Sequence, residues 1–417
     1  MFYQRLGQVP HKRHTQFRQP NGSLYHEELM GIHGFTGNKS LLYHLRPPTE
    51  VIRVEAGKPA DPVYAPQGPL RHRLLRTSGL QEGGDAVDGR LPLMGNQDLR
   101  VSVARPTRAM DYWYRYAHGD EVLFIHEGTG VLESQFGTLH YGPGDYLVIP
   151  TGVLWRMIPD EAVVQAHANE GAPATAWSPG GVPAKGTVPH RILVVETFGG
   201  HIEPPKRYIN AHGQLLESAP YSERDIRPPD ALTTYDETGE FEVRVNARGQ
   251  ISRCFYEHHP LDVVGWDGYL WPFAFNINDF EPITGRVHQP PPVHQTFDGP
   301  GFVLCSFVPR LFDYHPQSIP APYNHSNVDS DEVIYYVAGE FMSRKGVESG
   351  AITVHPNGIP HGPHPGTYEG SIGKRETHEL AVMVDTFRPL MLTKEALTLE
   401  DQGYAYSWLS RLEPAGH

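Results

Sequence analysis

Two stretches far apart in the chain share one pattern, and a repeat of a strand followed by a glycine turn obliges the chain to build the same small unit twice. The first copy reads Asp120-Glu121-Val122-Leu123-Phe124-Ile125, the second Asp331-Glu332-Val333-Ile334-Tyr335-Tyr336. Six residues separate the glutamate from the next motif glycine, Gly128 or Gly339, in both. A second element follows each. Gly144 leads after five residues to Pro150 and then to Gly152 and Trp155, and Gly350 leads after five residues to Pro356 and then to Gly358 and His361. Strand-length apolar runs surround these copies: Val51 to Val54, Val122 to Ile125, Tyr146 to Ile149, Ile192 to Thr197, Phe241 to Val245, Val333 to Val337 and Leu380 to Phe387. Gly, Pro, Asp and Asn punctuate them, so the fold class expected is mainly all-β with few short helices. Helical periodicity is convincing only in short pieces such as Lys394 to Leu399. The Ala-, Gly- and Pro-rich stretch from Glu161 to His190 has no period and reads as an exposed excursion between strands.

The paired motifs resemble those of the cupin barrel, a small antiparallel jelly roll, and the chain resembles a bicupin. The expected domains are 1–275, an N-terminal cupin-like β-sandwich without metal, and 276–417, a C-terminal cupin with the metal site. Alternation along the second copy puts Glu332, Ile334 and Tyr336 on one strand face and Val333, Tyr335 and Val337 on the other. The cupin pattern brings His325, in the loop ahead of that strand, and His361, of the second motif, to the same barrel mouth as Glu332. Two imidazoles and one carboxylate on one side of an ion, with positions open opposite, is the ligand set of non-haem Fe(II) oxygenases. Asn327 stands where many cupins have a further histidine, which favours a three-ligand site. The N-terminal copy retains His118 and Glu121 but has Trp155 in the place of His361, and an indole cannot ligate iron. That copy is expected to be structural.

Composition removes other classes. The 35 Lys and Arg against 48 Asp and Glu give a net charge of −13, so there is no basic stripe for nucleic acid or an anionic membrane. The short basic run from Lys12 to Arg18 reads as a solvated arm. No stretch approaches the apolar length of a membrane helix and the start lacks an apolar signal core, so a cytoplasmic location is expected. Cys254 and Cys305 are the two cysteines, too few for a disulfide framework or a cysteine metal cluster. The 24 histidines are the conspicuous surplus. Among them, His288 beside Pro290-Pro291-Pro292 and His355 before Pro356 read, taken alone, more readily as surface turns than as site residues. His258, His259 and His364 are assigned no function, although His364 is close enough to His361 to support it.

Over nearly its whole length the chain further resembles the homogentisate 1,2-dioxygenase family. The stretches that carry this are Leu41-Leu42-Tyr43 before Arg46-Pro47-Pro48, Pro143-Gly144-Asp145-Tyr146-Leu147-Val148-Ile149-Pro150, Val263-Val264-Gly265-Trp266-Asp267-Gly268, residues 273–280, Tyr323-Asn324-His325-Ser326-Asn327 and Ile359-Pro360-His361-Gly362-Pro363. The resemblance implies an Fe(II) cofactor held by His325, Glu332 and His361. It implies His288 as acid/base, His355 as a second-sphere substrate histidine, and Asn327, Tyr336 and Phe341 at the substrate. It also implies a small aromatic substrate and O2, ring cleavage of homogentisate to maleylacetoacetate in tyrosine and phenylalanine breakdown, and a homo-oligomer, a trimer or dimer of trimers. Two departures bear on substrate: the interval from His325 to Glu332 is one residue longer than in the family, and Phe341 replaces a tyrosine that contacts substrate. A lost hydroxyl costs about 1–3 kcal/mol if its partner is left unpaired, and Tyr335, Tyr336 or Arg344 are candidates to compensate. The alternatives are the same chemistry on another hydroquinone, gentisate or catechol, a Zn- or Mn-dependent cupin isomerase, and a non-catalytic metal-binding bicupin.

Overall fold

The structure is a computed structural model, which describes residues 2–160, 189–339, 341 and 346–409. Every apolar run named above falls in a strand, save that Leu380–Thr386 stops one residue before Phe387, and the helical elements are short, among them Lys394–Thr398, which Thr393 caps through its hydroxyl. Two large sheets carry the two motif copies. An eight-stranded sheet runs, in spatial order, Ile226–Arg227, Phe273–Asn276, Asp145–Ile149, Glu121–Glu127, Arg191–Thr197, Leu99–Ala104, Arg90–Gly95 and Met391–Leu392. A six-stranded sheet runs Gln295–Gly299, Phe302–Phe307, Leu380–Thr386, Asp331–Ala338, Ile352–His355 and Arg73–Leu75.

The repeat seen in sequence is a repeat in space. In each copy the motif-one strand lies between the motif-two strand and a later strand, all antiparallel. Glu121 is in register with Ile149 and Glu196; Glu332 is in register with His355 and Asp385. The spacing from Glu to Gly is fixed because the strand must end in a left-handed turn: φ is +104° at Gly128 and +96° at Gly339, and a Cβ on Gly339 would lie 2.3 Å from the His378 carbonyl oxygen. The halves also exchange edges. Arg73–Leu75 completes the six-stranded sheet, and Met391–Leu392 completes the eight-stranded one.

Alternation then decides what each face of Asp331–Ala338 touches. Val333, Tyr335 and Val337 enter a core shared with Val122, Phe124 and Tyr146, which joins the two halves. Ile334 and Tyr336 face a separate cluster with Cys305, Ala381 and Met383, inside the second barrel. Each such side chain taken out of water contributes about 1.5–3 kcal/mol. Tyr335 therefore belongs to the junction: its hydroxyl lies 2.6 Å from His126 Nδ1, on the face away from Glu332.

Most of the stretch from Glu161 to His190 lies outside the described residues. Its last residue departs from the expected exposure, since His190 is fully buried with Nε2 3.0 Å from the Tyr141 hydroxyl. The basic run from Lys12 to Arg18 is mostly exposed, as expected, with Arg13 tied to Asp267 at 2.7 Å.

A buried charge network links strands of a further, four-stranded sheet, ordered Gln4–Gly7, Val263–Gly268, Lys39–His44 and His26–Gly31. His44 Nδ1 lies 2.7 Å from Asp262 Oδ1 and its Nε2 3.1 Å from Glu28 Oε2, while Asp262 also accepts the Arg46 N–H. Burial alone would lower the imidazole pKa, but the two carboxylates outweigh it and raise it to about 9. Because that exceeds the unfolded value near 6.5, the stabilisation is complete below pH 6.5, declines through the interval and is lost above pH 9, a change of about 3 kcal/mol. Urea unfolding at pH 6 and pH 10 is expected to show this loss in the wild type, and His44→Asn is expected to flatten it. An unchanged slope in the variant contradicts the assignment.

Candidate metal centre

His325 and His361 meet across a short antiparallel bridge, each donating its N–H to the other's carbonyl, at 2.8 and 2.9 Å. That bridge sets both imidazoles against Glu332. His325 Nε2 lies 3.5 Å and His361 Nε2 3.3 Å from the same oxygen, Glu332 Oε2. One ligand atom from each of the three residues lies within 4.8 Å of the other two. His361 is buried, and neither of its ring nitrogens makes a hydrogen bond. Two nitrogen donors and an anionic oxygen converging on one point, with a buried imidazole left unsatisfied, fit a divalent transition-metal ion.

The second carboxylate oxygen is fixed separately. Glu332 Oε1 lies 2.7 Å from His355 Nδ1, and His355 Nε2 lies 3.0 Å from the Tyr404 hydroxyl. His355 thus corrects the surface-turn reading: as the last residue of Ile352–His355, in register with Glu332, it is completely buried. Burial would raise the Glu332 pKa, but the imidazoles of His325, His355 and His361 that face its two oxygens outweigh it and hold the carboxyl well below its usual range. The opposite holds for Asp385, beside it on the next strand, which burial and the Glu332 charge push up. The two neighbouring carboxyls are therefore pushed in opposite directions.

The first copy is a control built into the same chain. Trp155 Nε1 donates to Glu121 Oε2 at 3.1 Å, the contact that corresponds to His361 on Glu332. Arg90 Nη1 lies 2.7 Å from Glu121 and 3.1 Å from Glu196, the counterpart of Asp385. A guanidinium supplies the positive charge there, and an indole closes the space. His118 packs instead among Tyr116 and Phe198.

The remaining sequence candidates divide. His288 is exposed, as the turn reading expected, yet its ring contacts Tyr323 at 5.2 Å, Tyr323 contacts His325 at 6.3 Å, and Asp313 Oδ2 lies 3.4 Å from its Nδ1. Asn327 is half-buried in the His325 loop. Tyr336 and Phe341 pair edge to face at 4.6 Å, on the Glu332 side of the strand. Arg344 lies outside the described residues, and Tyr335, turned to His126, is too far round the strand to replace a hydroxyl at Phe341. Sequence reasoning missed His72, whose ring meets those of His355 and His361 at 5.3 and 5.9 Å, and Tyr404 and Trp408, which pack on the same layer. They come from the two ends of the chain, and no motif marks them. His364 does support this layer, with Nε2 3.0 Å from the Ser407 hydroxyl.

No family model matches the chain. A protein of Saccharolobus solfataricus, provisionally named a dioxygenase, is 39% identical over 411 residues, 98% of this chain and 99% of that one. A homogentisate 1,2-dioxygenase of Bradyrhizobium diazoefficiens is 26% identical over 321 residues, 72% of this chain and 64% of that one. Among solved structures, a cupin 2 conserved barrel domain protein of Leptotrichia buccalis aligns with TM-score 0.33 at 8% identity, covering 77% of this chain and 99% of that one. Bacillus subtilis oxalate decarboxylase aligns with TM-score 0.32 at 11% identity, covering 77% and 78%. With two motif copies on matching strand sets and a full-length relative at this identity, the chain belongs to a family of cupin dioxygenases.

Proposed function

We propose that this protein is an Fe(II)-dependent ring-cleaving dioxygenase that opens homogentisate to maleylacetoacetate, a step of tyrosine and phenylalanine catabolism. The observation that carries the reading is the convergence of His325, Glu332 and His361 on one buried point in a chain 26% identical to a homogentisate 1,2-dioxygenase. When bound, ferrous iron supplies the redox chemistry that lets an aromatic ring react with triplet oxygen, and binding both reactants at one centre makes the encounter a positioned one. The three ligands bring a single negative charge, that of Glu332, and a divalent ion leaves the ligand set net positive. That field favours a phenolate and an aryl carboxylate.

His288 takes the phenolic proton in this reading: Asp313 faces its Nδ1, which leaves Nε2 to accept. Tyr336 and Phe341 form an aromatic wall, and Asn327 orients the ring. His355 acts through Glu332, since both its nitrogens have protein partners; a direct bond to substrate would require one of these to open. The family resemblance supports a homo-oligomer, a trimer or dimer of trimers, and the reading places it in the cytoplasm; no helix among the described residues is long and apolar enough to cross a membrane.

Phe341 favours a second reading, the same chemistry on gentisate or another hydroquinone or catechol, because a pocket without the family hydroxyl binds one polar group less. Anaerobic iron reconstitution followed by oxygen-electrode assays with homogentisate, gentisate and catechol separates the two. Stoichiometric uptake with homogentisate is expected. Uptake confined to another ring overturns the substrate, and a chain that holds Zn or Mn and consumes no oxygen overturns the reaction class.

A further inference from the structure

We propose that Tyr404 is a positioning residue of the metal centre, acting on Glu332 through His355, so that the C-terminal segment forms part of the site; this rests on the metal-centre reading above. A carboxylate only accepts, so the 2.7 Å contact with Glu332 Oε1 requires the proton on His355 Nδ1. With that ring neutral, Nε2 is bare, and the Tyr404 hydroxyl, 3.0 Å away, is the donor that satisfies it. One hydroxyl thereby selects one tautomer. With the other tautomer, two lone pairs would face each other at Oε1, and the carboxyl group would turn away. Held as it is, Glu332 presents Oε2 to His325 and His361, the geometry an ion needs.

The relay is rigid and dry. His355 is 0% and Tyr404 3% exposed. The His355 ring stacks on His361 at 4.7 Å and 21° and lies nearly parallel to Tyr404 at 6.2 Å and 24°. Tyr404 itself is fixed by its segment: Glu400 pairs with Arg71 and Arg73 at 2.8 and 2.6 Å, Asp401 pairs with Arg76 at 2.6 Å, and Trp408 Nε1 donates to the Gly362 carbonyl at 3.0 Å. The stretch from residue 400 to 408 thus reaches the centre through His355, whereas His288 adjoins it through Tyr323 and His325.

The test uses the full chain with Co(II) as probe, its affinity measured by competition with a chromophoric chelator and its ligand field by visible absorption. Tyr404→Phe removes only the hydroxyl and is expected to weaken Co(II) binding about 10- to 100-fold and to shift the d–d bands. Arg76→Gln, which breaks the Asp401 pair holding the same segment without touching the relay, is expected to leave the bands unchanged and the affinity within a few-fold of wild type. Wild-type affinity and spectrum in Tyr404→Phe overturn the proposal, as do equal losses in both variants, which would make the segment merely a cover. Absence of tight Co(II) binding by the wild-type chain overturns the metal-centre reading itself, and the proposal with it.

Discussion

Arg90→Leu is expected to destabilise the protein by about 3–5 kcal/mol, the cost of stripping a buried ion cluster of its one shared cation. Arg90 Nη1 serves two carboxylates, Glu121 and Glu196, whose side chains are each 1% exposed. Burial opposes its charge, but Glu121 and Glu196 outweigh burial and raise its pKa. Arg100 also binds Glu196, at 2.7 Å, so that carboxylate keeps a partner in the variant. Glu121 does not; it retains only the Trp155 N–H, and burial already pushes its pKa up. The variant should therefore relieve the strain by protonating Glu121, and its deficit relative to wild type should be smaller at pH 5 than at pH 8. Urea midpoints of wild type, Arg90→Leu and Arg90→Leu with Glu121→Gln at both pH values check this. A loss below about 1 kcal/mol at pH 8, or no recovery in the double variant, removes the argument that the first barrel substitutes an internal cation for a metal.

The same comparison shows what the sequence can and cannot carry. The repeat was legible because strand alternation and a left-handed turn are local constraints: Glu121 and Glu332 must precede Gly128 and Gly339 by one fixed interval to end the strand where φ turns positive. The three residues proposed as ligands were legible because the same interval places Glu332 on the inner face, and Trp155 against His361 marked the copy in which the triad is incomplete. Arg90, His72, Asp385 and Tyr404 were not legible, since each acts across a contact between strands or segments distant in sequence, and neither period nor spacing encodes such a pairing. His72 reaches the centre because Arg73–Leu75 pairs with Ile352–His355, an edge exchange that no local pattern announces. His355 was misread as a surface turn for the same reason. Its neighbour Pro356 suggested a turn, whereas the register that buries it against Glu332 is a tertiary fact.

His361→Ala and His288→Ala are expected to separate metal retention from turnover. In the proposed centre His361 supplies one of three ligand atoms, and of the two imidazoles it is the buried one, its side chain 1% exposed against 29% for His325. Its removal leaves a carboxylate and one half-exposed nitrogen, a set no longer facial, and iron affinity should fall by more than the roughly 100-fold that outer-sphere changes reach. The variant should fold, because Glu332 keeps its bond from His355, and its His325 backbone bridge does not involve the side chain. His288 contributes no ligand atom. It stands outside the triad behind Tyr323, exposed, with Asp313 as its partner, so His288→Ala should retain a full complement of iron. What it loses is a positioned base, an effect of about 10²- to 10⁴-fold in turnover, with little change in substrate affinity if the substrate is held chiefly by the ion. Iron content by metal analysis and steady-state oxygen uptake, measured on the same preparations, distinguish the two. Iron retained by His361→Ala would dissolve the centre. Normal turnover by His288→Ala would leave the ring's proton to be taken by another group near the mouth of the barrel, and Asn327 cannot serve because an amide is not a base at neutral pH.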